Sequence, residues 1–285
     1  GVQVSVSRIL ATYRIAASAA DIESRARSLA VEQSVEMPLE AIRDARVRDE
    51  VVATVEKILP SPARGSGAGG EGAFEVTLGL AAGTTGHEAS QLANMLFGNC
   101  SLQPEVELLD VAFPPGYARS FPGPEFGIAG LRAMLAAPDR PLTCTALKPQ
   151  GSTLDHLVHL ARTFALAGVD VVKDDHGLAD QASCPFAARV PAVQQAIAEA
   201  NRETGGATLY APTLSGDPRA LAGQLQVARD CGLRIALVAP MLVGLPVFVE
   251  LRRESGLALL ARIVEHLARV NDLLIFGQAI DHSAA

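Results

Sequence analysis

Lysine is scarce in this chain. Three residues, Lys57, Lys148 and Lys173, stand against 21 arginines. Arginine serves wherever any cation will do, so a position that keeps lysine hints at an amine able to lose its proton, which a guanidinium does not. Cysteine is sparse and scattered as well. Cys100, Cys144, Cys184 and Cys231 form no CxxC pair, which argues against a zinc site or a disulfide framework and leaves buried thiols as the reading. No basic run of five residues occurs and the net charge is -7, so a nucleic-acid surface is not expected. No apolar stretch reaches the roughly 18 residues of a membrane span, and the first residues lack the layout of a secretory signal. A soluble, cytoplasmic protein with small-molecule partners, and no contact with nucleic acid or membrane, is the expectation.

What is present is enough apolar material for a large core. With 49% hydrophobic and 19% charged residues over 285 positions, the chain has room for one large domain or two of ordinary size. Its first third mixes element types. "SRILATYRIA" alternates like a strand, and "SAADIESRARSLAVEQ" carries apolar residues at helical spacing with Ser18 as a cap. "EVVATVEKIL" and "FEVTLGLA" read as strands joined by a glycine-rich hairpin loop. "TTGHEASQLANMLFGN" reads as a helix capped by Thr84 or Thr85, and "PEVELLDVAF" as a strand. This βαββαβ order predicts an N-terminal α+β, ferredoxin-like domain over residues 1–115.

After "PPGYARSFPGPEFG", too rich in proline and glycine for regular structure, strands and helices alternate singly. "LTCTALKP", "VDVVKDD", "ATLYAP" and "IALVAPM" are each followed by an amphipathic helix, the second beginning at Pro191. Apolar strands each trailed by a helix at roughly 30-residue spacing predict a parallel sheet of the βα-barrel type over residues 116–285. "LALLARIV" is a fifth strand or the opening of a helix. About 250 residues make a complete barrel, so this one is expected to stop after about strand five, natively or because a stretch is missing from the sequence. The last residues read as one amphipathic helix and a polar tail.

In a parallel βα sheet, polar residues at the C-terminal strand ends face the site. Lys148 ends the first such strand, and Lys173 and Asp175 end the second. Two apart on a strand, the latter two are expected to point inward together, with Asp174 outward and His176 at the break into the loop. The plainer alternative is a buried structural ion pair.

"LTCTALKP", "GVDVVKDDH" and "FPGPEFGI" resemble the ribulose-bisphosphate carboxylase large-subunit superfamily in order and spacing, and "FGN" at 97–99 and "VEQS" at 31–34 fit it too. The resemblance implies an N-terminal α+β domain, a C-terminal βα barrel, phosphorylated ketose chemistry and a homodimer with shared sites. It implies that Lys173 is carbamylated by CO2 and ligates Mg together with acidic residues of its motif. It further implies that Lys148 moves the proton at enolisation, that Asn99 lies on the substrate and metal side, and that Glu32 is donated across the dimer. Two departures point to the non-carboxylating, RuBisCO-like branch. Gln150 replaces the second amine of a lysine-proline-lysine run, and His176 stands where a glutamate is expected. The metal set is thus Lys173, Asp175 and His176, in which an imidazole nitrogen weakens Mg and admits another divalent metal. At the fifth strand Arg262 stands where the resemblance implies a histidine.

The chemistry has its own logic. Taking a proton beside a carbonyl needs a base of moderate pKa and positive charge near the developing oxyanion. A desolvated Lys148 near a cation would suit the first role. The function expected is enolisation-based isomerisation or decarboxylation of a phosphorylated ketose or sugar acid, not CO2 fixation. The alternatives are an inactive relative acting as a binding or regulatory partner, or an aldolase-like enzyme using Lys148 or Lys173 as a Schiff base. His156 and His159 read as exposed helix positions, His87 as surface in a helix's first turn, and Asp217 as a helix cap. Thr213, Ser215 and Met241 are expected on the pocket wall.

Overall fold

The computed structural model describes residues 7–62 and 72–261. The hairpin loop expected around residues 63–71, Arg262 and the expected terminal helix lie outside them. The chain divides into two compact units, the first running to Phe121 and the second starting at Pro122.

The first unit is a four-stranded antiparallel sheet. Strands β1 (Arg8–Ala17), β2 (Thr54–Pro60), β3 (Gly72–Ala81) and β4 (Val106–Ala112) lie in the order β2-β3-β1-β4. Period-two alternation on β1 sends Ile9, Ala11, Tyr13 and Ile15 to one face, where each is at most 1% exposed. Helices α1 (Ile22–Glu32) and α2 (Ala89–Phe97) bury complementary faces, Ile22, Ala26, Leu29 and Ala30 from one and Leu92, Met95 and Leu96 from the other.

Two expected caps are corrected. Glu88, not Thr84 or Thr85, caps α2, its carboxylate accepting from Ser90 N at 2.7 Å and Gln91 N at 2.8 Å. Thr85 is buried and hydrogen-bonded to the Tyr117 hydroxyl at 2.7 Å, so its side chain is already engaged. Ser18 gives α1 no side-chain cap. Its hydroxyl bonds Asp21, the residue at the cap position.

In the second unit α3 (Gly127–Met134) leads into β5 (Cys144–Leu147), α4 (Leu154–Leu166), β6 (Val171–Asp174), α5 (Phe186–Thr204), β7 (Leu209–Ala211) and β8 (Thr213–Leu214). Then follow α6 (Pro218–Asp230), β9 (Ile235–Val238), the single turn α7 (Pro240–Val243), α8 (Leu245–Glu254) and β10 (Ala258–Ala261). All strand pairs here are parallel, in the orders β5-β6-β7 and β8-β9-β10. Pro212, lacking an N–H, separates β7 from β8, and its carbonyl accepts from Leu237 N at 2.8 Å, carrying the sheet on to β9. The fifth apolar run is therefore a strand.

Thr153 and Asp217 start α4 and α6 by accepting from His156 N at 3.3 Å and Ala220 N at 2.8 Å. On one side of the sheet α4, α5, α6 and α8 bury Leu157, Ala161, Val190, Val193, Leu221, Leu225 and Phe248. On the other, Val171, Ala211, Ile235 and Ala258 form a cluster with Leu135 and Ala137, covered in part by Leu131 and Met134 of α3.

Two helices differ from expectation. The sequence GIAGLRAM was not read as a helix because it follows a proline- and glycine-rich stretch, yet its apolar residues have an interior to cover. Helix α5 begins at Phe186, five residues before Pro191, which sits inside it. A proline within the second turn forfeits a single intrahelical bond, and the turn so gained buries Phe186, Arg189 and Val190.

Candidate active site

Polar side chains gather where β5 and β6 end. Lys148 follows the last residue of β5, while β6 carries Lys173 and Asp174 on opposite faces and Asp175 comes next. The Asp175 side chain is 15% exposed, and its Oδ1 lies 3.3 Å from Lys148 Nζ and 3.3 Å from His176 Nδ1. Burial works against its ionisation, but the hydrogen bond from Lys148 and the charges of His176 and Lys148 outweigh it and hold the carboxyl below its ordinary value. Lys173 is half-buried, and its Nζ donates to the Asp174 carbonyl at 3.3 Å.

The plainer alternative, a buried Lys173–Asp175 ion pair, is not what these residues form. The amine beside Asp175 is that of Lys148, and among the described residues Lys173 forms no ion pair. Strand pairing stops at Asp174, so period-two alternation does not govern Asp175. Lys148 is also not desolvated by the described residues, its side chain being 62% exposed.

Asp174 faces α5 and is fully buried rather than solvated. Tyr210 donates to its Oδ1 at 2.7 Å, while Arg189 Nη2 at 3.2 Å and Thr213 N at 3.1 Å donate to its Oδ2. Burial pushes its carboxyl up against the opposing pull of Arg189, Tyr210 and Thr213. Burial, followed by the Asp174 charge, likewise holds the Tyr210 hydroxyl well above its usual range. Sequence reasoning passed over both partners. A signal existed for one of them, since Arg189 shares the buried stripe of α5 with Phe186, Val190 and Val193, and a cation there requires an anion.

The donor set decides what ion fits. Among the described residues no group of three or more His, Cys, Asp or Glu side chains is placed to hold a metal. Asp175 and His176 offer one carboxylate and one imidazole close together. A hard divalent ion wants several oxygens, some of them from water. By themselves Asp175 and His176 fall short of such a set, which a further oxygen donor on this strand would have to extend.

In the first unit, Glu32 and Asn99 line one small polar cleft of about 60 Å³, with Ser34, Thr84 and Asn94 also on its wall. Tyr13 explains why. Its hydroxyl, on β1, donates to the Leu96 carbonyl at 2.7 Å, and Gln33, just past α1, donates to the Met95 carbonyl at 2.7 Å, tying β1 and the end of α1 to the end of α2. Glu32 closes α1 and Asn99 follows α2 by two residues, so the tie brings both to one place.

His156 and His159 are exposed on α4, and Asp217 is a cap. His87 precedes α2 rather than lying in its first turn, with φ +56° and a 2.8 Å contact to the Ser120 hydroxyl. Thr213 is buried and donates to the Asp175 carbonyl at 3.3 Å, the Ser215 backbone is held by the Gln224 amide, and Met241 is 49% exposed.

An antiparallel α+β unit, then parallel βα units with lysine and carboxylate at the strand ends, define an α/β protein. Comparison with known proteins gives the family. The model for the ribulose bisphosphate carboxylase large chain, catalytic domain, matches residues 127–266. Ribulose bisphosphate carboxylase-like protein 1 of Rhodopseudomonas palustris is 50% identical over 255 residues, 89% of this chain and 67% of that protein. The 5-methylthioribulose-1-phosphate isomerase of Rhodospirillum rubrum is 52% identical over 248 residues, 87% of this chain and 64% of that protein. The crystal structure of a Rubisco-like protein from Rhodopseudomonas palustris superposes with a TM-score of 0.83 at 46% identity, covering 96% of this chain and 76% of that one. The chain belongs to the ribulose bisphosphate carboxylase large-chain family, among its RuBisCO-like proteins. It spans about two thirds of the length of these two curated relatives.

Proposed function

We propose that the protein enolises a phosphorylated ketose and isomerises it, without fixing CO2. The observation that carries this reading is Lys148 Nζ at 3.3 Å from Asp175 Oδ1 at the ends of adjacent parallel strands. The 52% identity to a 5-methylthioribulose-1-phosphate isomerase supports the substrate class and favours isomerisation over decarboxylation. Lys148 is the base that takes the proton beside the carbonyl and returns it to the neighbouring carbon. Asp175 and a carbamate on Lys173, with His176 beside them, would hold a divalent ion, Mg or another. When bound, that ion supplies positive charge to the oxyanion of the enediolate.

The βα units are read as the first five strands of a barrel domain, and the α+β unit as a separate domain. Glu32 and Asn99 complete the site of a second copy in a homodimer, a reading supported by their common cleft. Among the described residues no helix is long and apolar enough to cross a membrane. All four cysteines are free, which fits a reducing cytoplasm. The test is turnover of 5-methylthioribulose 1-phosphate by the 285-residue chain with Mg and bicarbonate, followed by phosphorus NMR. A new sugar phosphate supports the reading, and unchanged substrate contradicts it.

A further inference from the structure

The buried group behind the strand end is more than filling. We infer that Asp174, held by Tyr210, Arg189 and the Thr213 backbone, is a positioning residue that fixes Lys173 and Asp175 for the reaction. This rests on the proposed site, but it is argued from geometry that the proposal did not use. Asp174 and Arg189 are fully buried and Tyr210 is 1% exposed. Asp174 receives three donors from three places in the chain, at 2.7, 3.1 and 3.2 Å, and so is bound to α5, β7 and β8 at once. Arg189 is itself fixed by donating to the Cys184 carbonyl at 2.8 Å, in the turn that opens α5.

Thr213 does two things, its N–H reaching Asp174 Oδ2 and its hydroxyl reaching the Asp175 carbonyl at 3.3 Å. Thr213 thereby anchors the Asp174 side chain and the peptide unit that follows Asp175. Lys173 points to the other face of β6, and its amine rests on the Asp174 carbonyl. Hydrophobic residues in place of both Asp174 and Arg189 would pack as well, and burying an ion pair is often no gain in stability. What the charged group adds is direction, since hydrogen bonds fix an orientation that apolar contact leaves loose.

The test exploits the three lysines. Limited acetylation with acetic anhydride, read by peptide mass spectrometry, reports each amine separately, with Lys57 in the other unit as internal reference. Tyr210→Phe removes one hydroxyl and keeps the ring. It should raise the acetylation rate of Lys173 about fivefold, the equivalent of one net hydrogen bond lost from the closed strand end, and leave Lys57 unchanged. The double variant Asp174→Asn, Arg189→Met removes both buried charges, avoids a lone buried cation, and should raise it further.

Enolisation in the Tyr210→Phe variant should fall in kcat with KM little changed. Unaltered Lys173 labelling in both variants, with melting temperature alone lowered, would overturn the positioning role. Failure of the proposed function is separate, because it would appear as a wild type without turnover whose Lys173 labelling still responds.

Discussion

Lys148 Nζ and His176 Nδ1 each approach Asp175 Oδ1 at 3.3 Å, so one carboxylate oxygen faces an amine and an imidazole at the end of a parallel sheet. A divalent ion held by the proposed set would compete for that oxygen. Asp175→Asn keeps the shape and removes the charge, and should weaken Mn binding, followed by electron paramagnetic resonance, about tenfold or more. Unchanged affinity would take Asp175 out of the metal set.

Carbamylation of Lys173 has a direct signature. With labelled bicarbonate and Mg, carbon NMR should show one carbamate resonance that disappears in Lys173→Arg and persists in Lys57→Arg and Lys148→Arg. A resonance that disappears instead in Lys148→Arg would assign the modified amine to the other strand.

Acid stability should depend on Asp170. Its carboxylate accepts from Arg140 at 2.5 and 2.7 Å and from Thr143 N at 2.7 Å, and Arg140 foremost holds it well below the ordinary carboxylate range. Because the folded value is depressed, the stabilisation is fully present above the unfolded value near 3.9 and is lost as pH falls toward the folded one. Asp170→Asn should cost about 2 kcal/mol at pH 7, a moderate figure because Arg140 is half exposed and screened. Urea unfolding from pH 7 down to pH 3 should show the difference between variant and wild type shrinking below pH 4.

The tie between α1 and α2 is testable apart from the chemistry. Tyr13→Phe leaves the Leu96 carbonyl without its 2.7 Å donor and should lower stability by about 1 kcal/mol, a shift of a few degrees in thermal midpoint. Deletion of the Gln33 amide by Gln33→Leu should act on the same end of α2, and Gln33 Nε2 also lies 3.4 Å from the Tyr13 hydroxyl, so the effects of the two changes should fall short of additive.

Where the chain repeats a simple period, its sequence is legible. The alternation of "ILATYRIA" gives β1 its buried face, and apolar runs followed by capped helices give each parallel strand and its crossover. The position of Lys148 and Asp175 at the ends of β5 and β6 was readable because the apolar runs before them mark the strands. The pairing of Lys148, not Lys173, with Asp175 was not, since it depends on where β6 stops pairing, which the sequence leaves open by a residue. Arg189 and Tyr210 lie 15 and 36 positions from Asp174, so their convergence follows from the packing of α5 and β7 rather than from any local pattern. The first turn of α5 was hidden by Pro191, which reads more naturally as a helix start.

The most direct measurement is exchange of the proton beside the carbonyl of 5-methylthioribulose 1-phosphate with solvent deuterium, followed by proton NMR in wild type and Lys148→Ala. Exchange by the wild type, slowed about a thousandfold in the variant, is predicted for loss of a general base. Equal exchange in both would contradict the role given to Lys148.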